Sequence, residues 1–139
     1  MKPEIHSDFS IVNLDELKGI YNSVGWTKHT EAIIKQVFEA SNIRVFATIN
    51  GKVIGFGRAM SDGVFNAAIY DVIVHPDFQK HGIARQIMQH LLDRLCNVSC
   101  VHLISTTGNE DFYGKMGLKR LTTGMGRYLN LELANDYLA

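Results

Sequence analysis

Val72-Ile73-Val74-His75-Pro76-Asp77-Phe78-Gln79-Lys80-His81-Gly82-Ile83-Ala84 is the stretch whose reading decides the fold of this 139-residue chain. It begins inside the run Ala68-Ile69-Tyr70-Asp71-Val72-Ile73-Val74, which is too apolar for a sheet edge and is therefore placed at the centre of a sheet. His75-Pro76 ends that strand, because proline has no N–H to give to a ladder. Beyond Gly82, Ile83, Ile87, Leu91 and Leu95 recur every four residues, with Ala84, Met88 and Leu92 beside them, which is the strongest helical pattern in the chain. The unit is a strand, a turn and a helix with glycine at the helix mouth. The first N–H groups of a helix have no internal partners and carry partial positive charge. A sharp turn with no side chain at Gly82 makes them converge on one point, where a phosphate or pyrophosphate fits. Lys80 and His81 add charge at the rim, and the Gln79 side chain can brace the loop. The six residues taken alone also suit a plain loop. They are not a nucleotide P-loop, which needs G-x-x-x-x-G-K-[ST], nor the three-glycine turn of a dinucleotide site.

Working outward, Phe9 to Val12 reads as a short first strand. Asn13 with Glu16 three residues on is a variant capping box. Leu14, Leu17, Ile20, Tyr21 and Val24 follow at helical spacing until Gly25. A second helix spans about Thr30 to Ala40, and the joining segment holds the only tryptophan, Trp26. Arg44 to Ile49 and Lys52 to Met60 are β-rich runs around Asn50-Gly51, a type I′ hairpin signal. Asn66 to Val74 is the next strand. After the Gly82 to Leu95 helix, Val101 to Ser105 reads as a buried strand and Gly108 to Met116 as a short helix, with Gly117 as its C′ residue. Leu118 to Leu121 and Arg127 to Leu133 read as closing strands. The expected order is β-α-α-β-β-β-α-β-α-β-β. That is an α+β domain with one mostly antiparallel sheet and about four helices, spanning residues 1–139 as a single unit.

Composition narrows the classes. Hydrophobic residues are 46% and charged residues 20%, as in ordinary globular chains. Lys plus Arg (14) balance Asp plus Glu (14), so no global field draws in nucleic acid or a membrane. An anionic ligand must be captured locally. No apolar run approaches the roughly 20 residues of a membrane span. Met1 to Phe9 contains Glu4 and Asp8 and no apolar core of a secretory signal, so a cytoplasmic location is expected. Cys96 and Cys100 are too few for a disulfide framework and are expected to be buried, reduced thiols. The histidines show no metal spacing, and no metal is expected.

Two motifs carry a resemblance. Gln79-x-x-Gly82-x-Ala84, after an apolar strand ending Val74-His75-Pro76, resembles motif A of the Gcn5-related N-acetyltransferase (GNAT) superfamily, [Q/R]-x-x-G-x-[G/A]. Phe112-Tyr113-x-x-x-Gly117-Leu118 resembles that family's F-Y-x-x-x-G-F signature. The expected element order is similar too, so the resemblance covers essentially the whole chain. It implies an acyl-CoA N-acyltransferase fold using acetyl-CoA as cosubstrate. Backbone groups of Gln79, Lys80, His81, Gly82, Ile83 and Ala84 would hold the pyrophosphate. Ile73 and Val74 would bond the pantetheine arm as an added strand. Tyr113 would sit near the thioester sulfur, where a phenol can donate to the leaving thiolate. Where many members have a strand-end asparagine on the cofactor arm, this chain has Thr106, with Asn109 close by.

Direct transfer requires a neutral amine, although a lysine-like amine has a pKa of about 10.4. Asp71, a carboxylate within an apolar run, is one candidate base, and partnership with Arg58 or with backbone on a neighbouring strand is its structural alternative. His75 and a water chain are other candidates. In this fold Tyr21, Trp26, Phe65 and Tyr70 would enclose the acceptor, and the stretches around them are similar to a branch that includes arylalkylamine-type acetyltransferases. With no cysteine in the expected cleft, a ternary complex is favoured over a covalent enzyme intermediate. A CoA-binding sensor module, an acetyltransferase of protein lysines or N-termini, and a homodimeric state remain open alternatives.

Overall fold

The computed structural model describes residues 2–139. Five strands, β1 (Glu4–His6), β2 (Ile43–Ile49), β3 (Lys52–Ser61), β4 (Asn66–Val74) and β5 (Cys100–His102), form one sheet in that order. The first three pairings are antiparallel and β4–β5 is parallel. Five α-helices accompany them among the described residues: α1 (Leu14–Ser23), α2 (Glu31–Ala40), α3 (Ile83–Arg94), α4 (Glu110–Lys115) and α5 (Leu131–Tyr137). The expected α+β, mostly antiparallel architecture is present.

Alternation along the strands splits the core into two layers. Val45 and Ala47 face α3, and together with Ile54, Ile69, Ile87, Met88 and Leu91 they form one buried cluster. Phe46, between them, faces the other way and joins Leu17, Tyr21, Ile34, Phe38 and Phe56 under α1 and α2. Burying each large apolar side chain contributes about 1.5–3 kcal/mol. Helix α3 lies very close to β3 because two strand positions lack side chains. A Cβ at Gly57 would stand 2.8 Å from Ile87 Cγ2 and 3.0 Å from Leu91 Cδ1. The β2–β3 hairpin turns on Asn50 (φ 52°) and Gly51 (φ 78°), as a type I′ turn requires.

Four expectations are corrected. Phe9 to Val12 is not a strand: the first strand lies earlier, at Glu4–His6, and Phe9–Ile11 is a single 3-10 turn. The Asp8 carboxylate accepts from Ser10 N (2.9 Å) and closes that turn, while Phe9 stacks on Phe38 (5.6 Å). Leu118 to Leu121 carries no strand, and Arg127 to Leu133 gives way to α5. There the Asn130 side chain accepts from Glu132 N and Leu133 N, a cap that starts a helix where a strand was expected. Cys96 and Cys100 are free but exposed, not buried.

One irregularity positions the site. The β3–β4 register passes from Phe56↔Ile73 to Arg58↔Tyr70, so Gly57 faces two residues, Asp71 and Val72. At this β-bulge Asp71 takes φ 53°. A bulge re-aims the side chain it carries.

Candidate active site

Strands β4 and β5 are paired only through Asn66↔Cys100, Ala67↔Val101 and Ala68↔His102. Beyond that ladder they part, so the later half of β4 lacks a neighbour on this side. The opening is a cavity of about 1170 Å³. Tyr70 through Val74 line one wall, the mouth of α3 lines another, and Phe112 and Tyr113 of α4 line a third.

At the α3 mouth Gly82 is the N-cap with φ 78° and ψ 11°, and no side chain caps the helix. Lys80 also has positive φ, 66°. The first intrahelical bond is Gln86 N to Gly82 O (3.2 Å), so the N–H groups of Ile83, Ala84 and Arg85 lie ahead of it. Nothing stands within 4 Å of where a Gly82 Cβ would be. The Gln79 amide donates to Val74 O (2.9 Å), bracing the loop against the end of β4. Lys80, Arg85 and Arg127 line the cavity, and none of the three forms an ion pair with a described residue. Open donors, open space and free cations suit a diphosphate-bearing ligand.

Tyr113 is half-buried against the α3 cluster, and burial pushes its phenol above the usual tyrosine value. Burial thus favours the protonated phenol, and its hydroxyl has no hydrogen bond to a described residue, so it is free to donate. Thr106 and Asn109 both line the cavity and are bonded to each other, Asn109 Nδ2 donating to Thr106 Oγ1 at 2.6 Å.

The bulge brings Asp71 to the cavity wall, where its Oδ2 accepts from Arg58 Nε (2.8 Å) and from the Tyr21 hydroxyl (2.8 Å). The pair is well shielded, with 14% of the Arg58 side chain and 12% of the Asp71 side chain exposed. Burial, then the Asp71 charge, drives the Tyr21 phenol far above its ordinary value, so it serves as a permanent donor. The Arg58 guanidinium lies over the Tyr70 ring at 5.0 Å.

Of the residues singled out from sequence, Trp26, Tyr70, Asp71, Ile73 and Val74 line the cavity, as do Gln79, Lys80, Gly82, Ile83 and Ala84. Thr106, Asn109 and Tyr113 complete that set. Four stand elsewhere. His81 is exposed outside the lining, Phe65 is 66% exposed on the turn before β4, and Tyr21 is buried behind Asp71. His75, the other candidate base, lies outside the lining and its Nδ1 accepts from Asp77 N at 3.1 Å. The Phe65 turn is held by Asp62, whose carboxylate accepts from the N–H groups of residues 64–66. Sequence reasoning missed the C-terminal wall: Arg127, Tyr128 and Tyr137 reach the cavity, and Tyr128 stacks on Tyr137 at 5.8 Å. A basic residue next to an aromatic one was the available signal.

The sheet opening, the helix mouth and the Phe112-Tyr113 wall define the class. The sequence profile of the Acetyltransferase (GNAT) family matches residues 11–118, and the chain belongs to that family. It is 36% identical over 112 residues to an uncharacterized N-acetyltransferase, ycf52, of Pyropia yezoensis, covering 76% of this chain and 64% of that protein. It is 29% identical over 112 residues to serotonin N-acetyltransferase 2, chloroplastic, of Oryza sativa subsp. japonica, covering 76% and 56%. The chain thus spans about 56–64% of the length of these curated relatives. Among solved structures, a GNAT family acetyltransferase from Streptococcus pneumoniae TIGR4 superposes with a TM-score of 0.78 at 29% identity, covering 92% of this chain and 98% of the other. No helix among the described residues is long and apolar enough to cross a membrane.

Proposed function

We propose that this chain transfers the acetyl group of acetyl-CoA to a primary amine, by direct attack within a ternary complex. One observation carries the reading. A single cavity joins an uncapped helix mouth suited to a diphosphate, an unpaired stretch of strand suited to an extended amide-bearing arm, and the Tyr113 phenol. In this reading Gln79 to Ala84 hold the pyrophosphate, and Ile73 and Val74 bond the pantetheine amides. The amine nitrogen, once deprotonated, attacks the thioester carbonyl, and the tetrahedral adduct expels the thiolate. Tyr113 donates to that sulfur, and the products are an amide and the free thiol. Asp71 is the candidate acceptor of the amine proton. Its Oδ1 has no hydrogen bond to a described residue, while Oδ2 is held by Arg58 and Tyr21.

For the acceptor we propose an arylalkylamine. Trp26 and Tyr70 line the same cavity as Asp71, and one relative carries serotonin in its name. The test combines thiol release from acetyl-CoA over a panel of aryl amines, polyamines and lysine peptides with calorimetric titration of acetyl-CoA. Turnover with an aryl amine is the expected result. Acetyl-CoA binding without thiol release on any amine would instead favour a CoA-binding sensor module, and turnover only on peptides a protein acetyltransferase.

A further inference from the structure

The connection between α1 and α2 carries two aromatic rings with different surroundings. Trp26 lines the cavity and is 37% exposed. His29 is half-buried and lies flat on Tyr21, with centroids 4.2 Å apart and planes inclined by 11°. The Trp26 ring is 5.7 Å from His29 and 5.9 Å from Tyr21, so the three rings form a closed triangle of stacked pairs. Tyr21 is fully buried, and its hydroxyl reaches Asp71. The backbone offers this loop little other anchorage. Trp26 N donates to Tyr21 O (2.9 Å), and the loop is next fixed at Thr30, whose carbonyl accepts from Ile34 N. Residues 27 and 28 form only a loose local turn, and no backbone bond of good geometry has its donor at positions 27–29. The imidazole face is therefore what ties the far half of the loop to the buried ring behind Asp71.

We propose that His29 is a positioning residue for the acceptor amine, clamping the Trp26 loop onto Tyr21 and so fixing the aromatic wall relative to Asp71. The inference rests on the acetyltransferase reading above for the identity of the ligand. It requires the flat ring of His29 and not its proton, because no hydrogen bond joins the imidazole to a described residue.

Trp26 is the only tryptophan, so its emission reports on the loop without any turnover. The experiment titrates 2-phenylethylamine into protein saturated with CoA, exciting Trp26 alone, beside steady-state kinetics with acetyl-CoA. His29→Ala should shift Trp26 emission to the red before amine is added. A stacked aromatic pair is worth up to about tenfold in affinity, so amine Kd and KM should rise by up to about tenfold while acetyl-CoA Kd stays within about twofold. His29→Phe should restore most of the amine affinity and leave the pH profile of kcat/KM in place. Unchanged emission and amine affinity in His29→Ala would overturn the clamp. A His29→Phe variant as weak as His29→Ala, with a matching circular dichroism spectrum, would overturn the role of the ring. Acetyl-CoA affinity falling in step with amine affinity would mark a general structural role instead. If wild-type protein releases no thiol yet phenylethylamine quenches Trp26 in a His29-dependent way, the transfer reading fails and the clamp stands. Thiol release with a His29-independent amine response has the opposite meaning.

Discussion

Replacing Asp71 by asparagine tests whether that carboxylate is a base, a structural partner, or both. Asp71 sits at φ 53°, a conformation asparagine tolerates as well as aspartate, so the substitution leaves the bulge unstrained. What it removes is charge. Arg58 Nε and the Tyr21 hydroxyl both donate to Oδ2 at 2.8 Å, and the Arg58 side chain is only 14% exposed. Removing one partner of a buried pair costs about 3–5 kcal/mol. The amide oxygen still accepts a hydrogen bond, so the loss here should fall somewhat lower, at about 2–3 kcal/mol. At about 4 °C per kcal/mol for a chain of this size, that is a fall in Tm of about 10 °C. The double variant Arg58→Leu/Asp71→Asn no longer strands a guanidinium and should regain about 1–2 kcal/mol relative to the single variant. Urea denaturation followed by circular dichroism, with m-values compared, reads both numbers. Wild-type stability in the single variant, or strict additivity in the double, would refute the coupling. Wild-type kcat in the folded double variant would remove Asp71 from proton transfer whatever the stability shows.

Tyr113→Phe should lower kcat about 100-fold, the low end for a lost general acid, with acetyl-CoA Kd unchanged in calorimetry. Because the phenol hydroxyl has no described partner, Tm should hold or rise, and a drop would show a missed hydrogen bond. Gly82→Glu places a carboxylate at the helix mouth at φ 78°, where a side chain costs about 1–2 kcal/mol. Acetyl-CoA binding measured by calorimetry should become undetectable, and retained affinity would locate the diphosphate elsewhere. The Tyr21 and Tyr113 phenols are both held above their ordinary value. Above about pH 10 the unfolded chain therefore releases protons that the folded chain keeps, and stability must fall as pH rises. Tyr113→Phe should weaken that alkaline decline in a denaturation series from pH 8 to 11; an unchanged slope would mean the phenol titrates normally.

The anion-binding half of the site was legible because its chemistry is local. A strand ending at His75-Pro76, a glycine at position 82 and a four-residue apolar repeat lie within one continuous stretch, and the uncapped helix mouth follows from them. Chain ends were less legible because short apolar runs are decided by neighbouring caps. Asp8 turns Phe9–Ile11 into a 3-10 turn, and Asn130 turns the last run into α5. Neither side chain announces that it will win over strand pairing. The acceptor half depends on contacts across 13 residues (Arg58–Asp71) and 50 residues (Tyr21–Asp71). Arg58 was foreseeable as a partner because an unpaired carboxylate in an apolar strand is costly. The bulge that aims Asp71 was not, since it exists only as a mismatch between β3 and β4.

The backbone makes a separate argument for where the chemistry lies. Asp71, Lys80 and Gly82 all have positive φ, and all three line the same cavity. Only the glycine takes that conformation freely, whereas aspartate tolerates it and lysine pays about 1–2 kcal/mol. Unfavourable backbone persists where surrounding structure over-determines it, and such positions cluster at ligand sites. Here the Gln79–Val74 bond holds the Lys80 turn, and the Arg58–Asp71–Tyr21 contacts hold the bulge. If those supports maintain strain for the sake of the cavity, Gln79→Ala should let Lys80 relax. Acetyl-CoA affinity would then fall while global stability stays level or improves, whereas a loss of stability with affinity intact would mean the turn serves the fold alone.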